Sequence, residues 1–182
     1  MKNKGFTLVE IIVSIALISI IMIFLIKLLI QVNYERVNEL YDSANAINRS
    51  EILKTVENDL HNKLKTISIT KGTSNLVIDF TTKDGSKSSL TFYIENDTYY
   101  VLYKKVNKNM KWELKTNNTN TYIDLNNYGV KEIHPQNGNT NIYSAVTISI
   151  PVIIDNTKKS SSVLDDFVFS FYSHDTRITV VK

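Results

Sequence analysis

The rhythm of apolar positions changes twice along the chain. Residues 6–32, FTLVEIIVSIALISIIMIFLIKLLIQV, form a nearly unbroken hydrophobic run in which Glu10 and Lys27 are the only charges. Ile11 to Ile30 alone gives about 30 Å of helix, enough to cross the hydrocarbon core of a bilayer. From Val32 to about Thr66 a spacing of three and four takes over: Val37, Leu40, Ala44 and Ile47, then Leu53, Val56, Leu60 and Leu64. The phase slips near Arg49-Ser50-Glu51, and Arg36, Glu39, Asp42, Lys54, Glu57 and Lys63 occupy the other positions. That is the pattern of a half-solvated amphipathic helix whose stripe packs on a sheet. The two stretches together predict one helix of about sixty residues and about 90 Å.

Beyond the helix the period drops to two. Leu76, Ile78 and Phe80 alternate with polar residues, and Lys83-Asp84-Gly85-Ser86 marks a turn. Leu90, Phe92 and Ile94 resume the alternation, Asn96-Asp97 turns again, and Tyr99–Lys105 continues as a third strand. Further strands are expected at 111–116, 142–150, 166–173 and 176–181. Asn-rich stretches such as 117–120 and 137–139, together with DNTKKSSS at 155–162, read as loops. The expected fold class is α+β, a long N-terminal α-helix packed on an antiparallel β-sheet head. Its expected segments are 1–5 as a leader, 6–32 as the apolar helix, 33–66 as the amphipathic helix and 67–182 as a single β-rich head.

Composition narrows the function. With 43% hydrophobic and 21% charged residues, five glycines and two prolines, the chain is neither collagen-like nor disordered. The absence of cysteine removes disulfides, thiolate metal sites and thiol nucleophiles. Ahead of the apolar run stands Met1-Lys2-Asn3-Lys4-Gly5, whose two lysines keep the N-terminus cytoplasmic by the positive-inside rule. No small-x-small cleavage site follows Ile30, and Gln31–Glu39 reads as continuing helix, unlike an ordinary secretory signal. The small residue that marks a cut, Gly5, precedes the apolar run. Cleavage there removes Lys2 and Lys4, lowers the side-chain net charge from +3 to +1, and leaves the hydrophobic segment on the product.

Lys4-Gly5-Phe6-Thr7-Leu8-Val9-Glu10, followed by an uninterrupted apolar helix, resembles the N-terminus of type IV pilins and the related pseudopilins. The resemblance covers about residues 1–35. It implies that a membrane prepilin peptidase cuts between Gly5 and Phe6 and methylates the new amine of Phe6. The product then joins a helical filament through its apolar helix. The implied partners are the peptidase, other pilin subunits and a pilus assembly platform in the membrane. The implied location is the cytoplasmic membrane, as a single-pass precursor, and then a filament at the cell surface. Many pilins carry a proline near position 27; here no proline precedes Pro135, so the helix is expected to be more continuous. With the missing cysteine pair and the β-rich head, that departure points to a minor rather than a major subunit.

Glu10 has a physical reading beside the resemblance. A carboxylate in a membrane helix costs about 2.5–3.5 kcal/mol at mid-bilayer on insertion scales unless it finds a partner. A neighbouring subunit's Phe6 amine is one such partner and sets the axial stagger between helices; its own amine or the headgroups are the others. Lys27 lies near the outer end of the span and snorkels to the headgroups.

Catalytic chemistry is not visible. His61, His134 and His174 are scattered, and the glycines are isolated; no Gly-x-Ser-x-Gly or Ser-x-x-Lys pattern occurs. Asp155, Asp165, Asp166 and Asp175 lack EF-hand spacing and read as solvated loop charges. The expectation is no enzyme, no cofactor and no metal. One segment stands out: Lys104, Lys105, Lys108, Lys111, Trp112 and Lys115, just downstream of Tyr99, Tyr100 and Tyr103. It supports an alternative reading as a DNA-uptake or adhesive pilin, in which lysines grip a backbone and aromatics stack on the ligand. The opposing reading is a solvated hairpin with Trp112 in the core and lysines guarding an edge. The lack of Arg there favours the second. A membrane-anchored ectodomain that never polymerises is the third alternative.

Overall fold

The computed structural model describes residues 7–96, 98–114, 120–133, 144–155, 166–174 and 176–182. Its only helix among these residues, α1, runs Leu8–Leu60 without an internal Gly or Pro. Its contacts divide the chain into two units, residues 1–42 and 43–182.

The first unit is the apolar half of α1. Every side chain described in it is exposed, including Ile12, Ile20, Phe24 and Ile30. Leu8–Val37 is long and apolar enough to cross a membrane, and none of its apolar window is buried. The two serines inside it are not left unpaired. Ser14 Oγ donates to the Glu10 carbonyl at 2.7 Å and Ser19 Oγ to the Ile15 carbonyl at 2.8 Å, which keeps both hydroxyls satisfied without water.

In the second unit α1 buries Ile52, Val56 and Leu60, one residue per turn, and half-buries Leu53. The phase slip expected at 49–51 therefore moves the buried line onto Ile52. In the N-terminal half of the expected stripe Val37, Leu40 and Ile47 are exposed, Ile47 at 67%, and Ala44 is half-buried. The helix also stops at Leu60 rather than near Thr66. Asn62 takes a left-handed conformation (φ 55°) and Lys63 N–H donates to the Leu60 carbonyl at 3.1 Å, closing the last turn. Leu64, in phase with Leu60 as helix, instead starts a strand in which Ile67 and Ile69 alternate inward.

Eleven strands are described: β1 Leu64–Lys71, β2 Asn75–Thr82, β3 Lys87–Glu95, β4 Thr98–Lys105, β5 Lys108–Leu114, β6 Asn120–Ile123, β7 Gly129–Ile133, β8 Ser144–Ile150, β9 Val152–Asp155, β10 Phe167–Ser173 and β11 Thr179–Val181. They form a six-stranded sheet in the order β11-β1-β2-β3-β4-β5, a three-stranded sheet β10-β8-β7 and a ribbon β6-β9. Every pairing is antiparallel except β1 with β11, so the large sheet is mixed at one edge. The fold is α+β. The turn between β2 and β3 uses Gly85 at φ +82° and the Asp84 carboxylate, which binds Thr82 Oγ1, the Ser86 amide and the Ser86 hydroxyl. Those bonds hold the Asp84 carboxyl below the usual carboxylate range.

The core lies between the inner faces of the two larger sheets and the three helix residues. Phe80 meets Phe171 at 5.3 Å between ring centroids, and Phe92 meets Phe167 edge-on at 5.4 Å. Each such aromatic or aliphatic side chain contributes about 1.5–3 kcal/mol by leaving water. Three backbone amides are satisfied by side chains distant in sequence: Ser170 N–H by Glu57 Oε1 (2.7 Å), His174 N–H by Asn62 Oδ1 (3.0 Å) and Ile178 N–H by Ser144 Oγ (3.1 Å). The first satisfies a backbone donor of β10, the edge strand of its sheet, with a helix carboxylate.

Candidate functional site

The start of α1 is built as a capping box. Thr7 N–H and Thr7 Oγ1 both donate to Glu10 Oε2, at 2.8 and 2.9 Å, and Glu10 N–H points back to Thr7 Oγ1 at 3.3 Å. Thr7 is thus the N-cap and Glu10 the third helical residue, the reciprocal arrangement that satisfies two orphan donors of the first turn. The carboxylate also sits at the positive end of the helix dipole. Both protein donors fall on Oε2, and among the described residues Oε1 has no partner. Thr7 thus supplies Glu10 with hydrogen bonds from its own chain, which reduces the cost of placing it in an apolar segment. Sequence reasoning weighed a neighbour's amine, its own amine and the headgroups, and missed Thr7. The Thr-x-x-Glu signature was the signal available. Gly5 and Phe6, the two sides of the expected cut, lie outside the described residues. Lys27 is exposed.

The basic and aromatic segment of the head is separated by the pleat. Trp112 is 7% exposed and belongs to the core with Val101, Tyr103 and Leu114. It has no face to offer a ligand. Burial pushes the Tyr103 hydroxyl up to about 12. On the opposite face Tyr100 and its cross-strand partner Tyr93 stack at 5.4 Å with planes 25° apart. Lys111 Nζ lies 3.9 Å from the Tyr100 centroid and 3.9 Å from Glu95 Oε2. Its ammonium is held above the ordinary lysine value, first by Tyr93 and then by the negative charge of Glu95 and the Tyr100 ring. Lys105 turns toward the helix, 3.1 Å from Asp59 Oδ1. Lys104 and Lys108 are exposed on either side of the Val106-Asn107 turn, where Asn107 adopts φ 69°. Lys115 lies outside the described residues. The segment thus contributes to the core, to an aromatic–cation cluster and to an exposed turn, and does not form one patch.

Of the histidines, His61 and His174 are exposed, and the bond from the His174 amide to Asn62 Oδ1 brings their two segments together; His134 lies outside the described residues. The same holds for Asp165 and Asp175, and Asp166 is half-buried. Among the described residues no group of three His, Asp or Glu side chains is placed to hold a metal ion.

Comparison with known families adds one finding. The family described as the prokaryotic N-terminal methylation motif matches residues 1–26. That match is the class III leader of type IV pilins, here followed by the long apolar helix. The motif supports a type IV pilin-like prepilin: it implies a prepilin peptidase substrate with other pilin subunits as partners, and together with the apolar N-terminal helix it fits membrane anchoring. Neither a curated protein nor a solved structure matches the chain.

Proposed function

We propose, from the premise that residues 1–26 carry the prepilin methylation motif, that this chain is a minor structural subunit of a type IV pilus or pilus-like filament and not an enzyme. It enters the cytoplasmic membrane with Lys2 and Lys4 inside. A prepilin peptidase cleaves it between Gly5 and Phe6 and methylates the Phe6 amine, and an assembly platform then moves it into a filament at the cell surface. The observation that carries this reading is the exposure of the whole apolar half of α1. An apolar surface of that extent has two covers available, lipid before assembly and neighbouring helices after it. Moving from one to the other needs little change in apolar burial, since lipid tails and aliphatic side chains are alike. Direction and register must then come from polar groups, and Glu10 is the acid at the N-terminal end of that segment. Beside its bonds to Thr7, the Glu10 carboxylate accepts a neighbour's Phe6 ammonium, which methylation leaves charged. The proline-free helix and the cysteine-free head support the minor role.

Intact-mass and N-terminal analysis of the protein from its native membrane and surface fractions tests this. The expected chain begins at Phe6 with one added methyl group, and Glu10→Ala is processed normally but absent from the surface fraction. A chain still beginning at Met1 beside an active peptidase overturns the proposal and leaves an anchored ectodomain.

A further inference from the structure

Without cysteine the head has no disulfide to fix its sheets, yet the chain carries ten tyrosines. The pleat sorts those of β3 and β4 by face. Tyr103 is buried and Tyr99 packs against the core, whereas Tyr93 and Tyr100 stand together on the outer face. They are directly opposite each other in the register, on either side of the short turn between Glu95 and Thr98. Their planes are 25° apart and their centroids 5.4 Å apart, the geometry of offset stacking. Both are half-buried, so each ring keeps part of its surface in solvent. Lys111 Nζ lies 3.9 Å from the Tyr100 centroid and 5.6 Å from that of Tyr93, and its ammonium holds the two rings in this arrangement.

We propose that Tyr93 and Tyr100 are a site of oxidative cross-linking, joined ring to ring by a peroxidase that uses hydrogen peroxide. Two one-electron oxidations remove the phenolic hydrogen atom from each ring and leave two tyrosyl radicals. The unpaired density of such a radical lies partly on the carbons ortho to the oxygen, in orbitals perpendicular to the ring. Stacked rings present those orbitals to each other, which an edge-on pair does not. A bond forms between one Cε of Tyr93 and one Cε of Tyr100. The hydrogen on each of these carbons then moves to the oxygen of its own ring, which restores both phenols. The two abstracted hydrogen atoms reduce one hydrogen peroxide to two waters, so the protein ends two hydrogen atoms lighter. Because the register holds the partners against each other, coupling within the chain is favoured over coupling between molecules. The bond closes the β3–β4 hairpin near its turn, the kind of constraint a cross-strand disulfide supplies. Both rings belong to one hairpin, so the reaction does not depend on filament assembly.

The test treats the full chain, unassembled in uncharged detergent, with a haem peroxidase and hydrogen peroxide, so that its failure leaves the filament reading untouched. Trypsin leaves both tyrosines in the peptide 88–104, and a further cut after Glu95 separates them unless they are joined. The expected product is a monomer lighter by two hydrogen atoms, with the blue fluorescence of a biphenol and peptides 88–95 and 96–104 linked. Tyr93→Phe and Tyr100→Phe, each with an unchanged thermal melt, should lower the yield of the linked pair about tenfold or more. Tyr172→Phe, which removes an exposed phenol on another sheet, should leave the yield as in the parent. A linked pair that persists in either of the first two variants overturns the proposal. So does coupling between molecules alone, or no linked pair in the parent while free tyrosine couples in the same mixture.

Discussion

Between Leu8 and Val37 α1 exposes each side chain, whereas from Ile52 to Leu60 the same helix buries one residue per turn in the core of its own chain. Composition does not explain the difference, since Ile, Leu and Val dominate both lines. What differs is angular distribution. In the first half apolar residues occupy all sides of the helix, a surface that no single sheet can cover. In the second half they are confined to one line, with Glu51, Lys54 and Asn58 turned to solvent. A helix apolar all round needs an environment, and a helix with one stripe needs a partner element.

The largest expected effect comes from testing where each half obtains its stability. Val56→Asp or Phe92→Ala should destabilise the head by about 3–5 kcal/mol, through an unpaired buried charge or a cavity. Ile20→Ala, an equally apolar loss in the exposed half, should leave the head's thermal melt unchanged. Comparable losses from Ile20→Ala and Phe92→Ala would mean the two halves are not energetically distinct.

A smaller effect is expected at the helix start. Thr7→Ala removes the N-cap, and the loss should be about 1 kcal/mol of local helix stability. Amide hydrogen exchange at residues 8–11 should accelerate while exchange in β1–β5 stays as it was. Acceleration spreading into the sheets would show that the apolar half and the head are coupled through the helix.

The smallest effect is a pH dependence confined to the head. Asp84 has its carboxyl lowered from 3.8 by bonds that exist only in the folded turn. Its contribution is therefore present above about pH 3.8 and is lost as pH falls through the lowered folded value. Asp84→Asn should lower the melt slightly at neutral pH and close the gap to the parent as pH falls below about 4, reducing the acid sensitivity. An unaltered acid limb would show that the turn does not depend on the carboxylate charge.

Legibility in the sequence followed the range of the interactions. The apolar span and the hairpins β2–β3 and β3–β4 were readable because their signals are local: uninterrupted hydrophobicity, strict alternation, and a Lys-Asp-Gly-Ser turn. The start of β1 was not, because Leu64 continues the spacing of Leu60. Only the left-handed turn at Asn62, rewarded by pairing with β2, decides for strand. The Thr7–Glu10 box was present in the sequence and was overlooked beside the question of intersubunit pairing.

By itself, the sequence determined the long apolar helix, the N-terminal methylation motif and the α+β character of the remainder, because each depends on hydrophobic period and on residues within a few positions of one another. The tertiary structure alone decided three things. It placed Trp112 in the core and Lys111 on the opposite face, since the pleat separates neighbours in sequence. It left Val37, Leu40 and Ile47 exposed although their spacing is that of a buried stripe. It also set Lys105 of β4 beside Asp59 of the helix and stacked Tyr93 on Tyr100, because helix placement and strand register bring together residues that no local pattern connects.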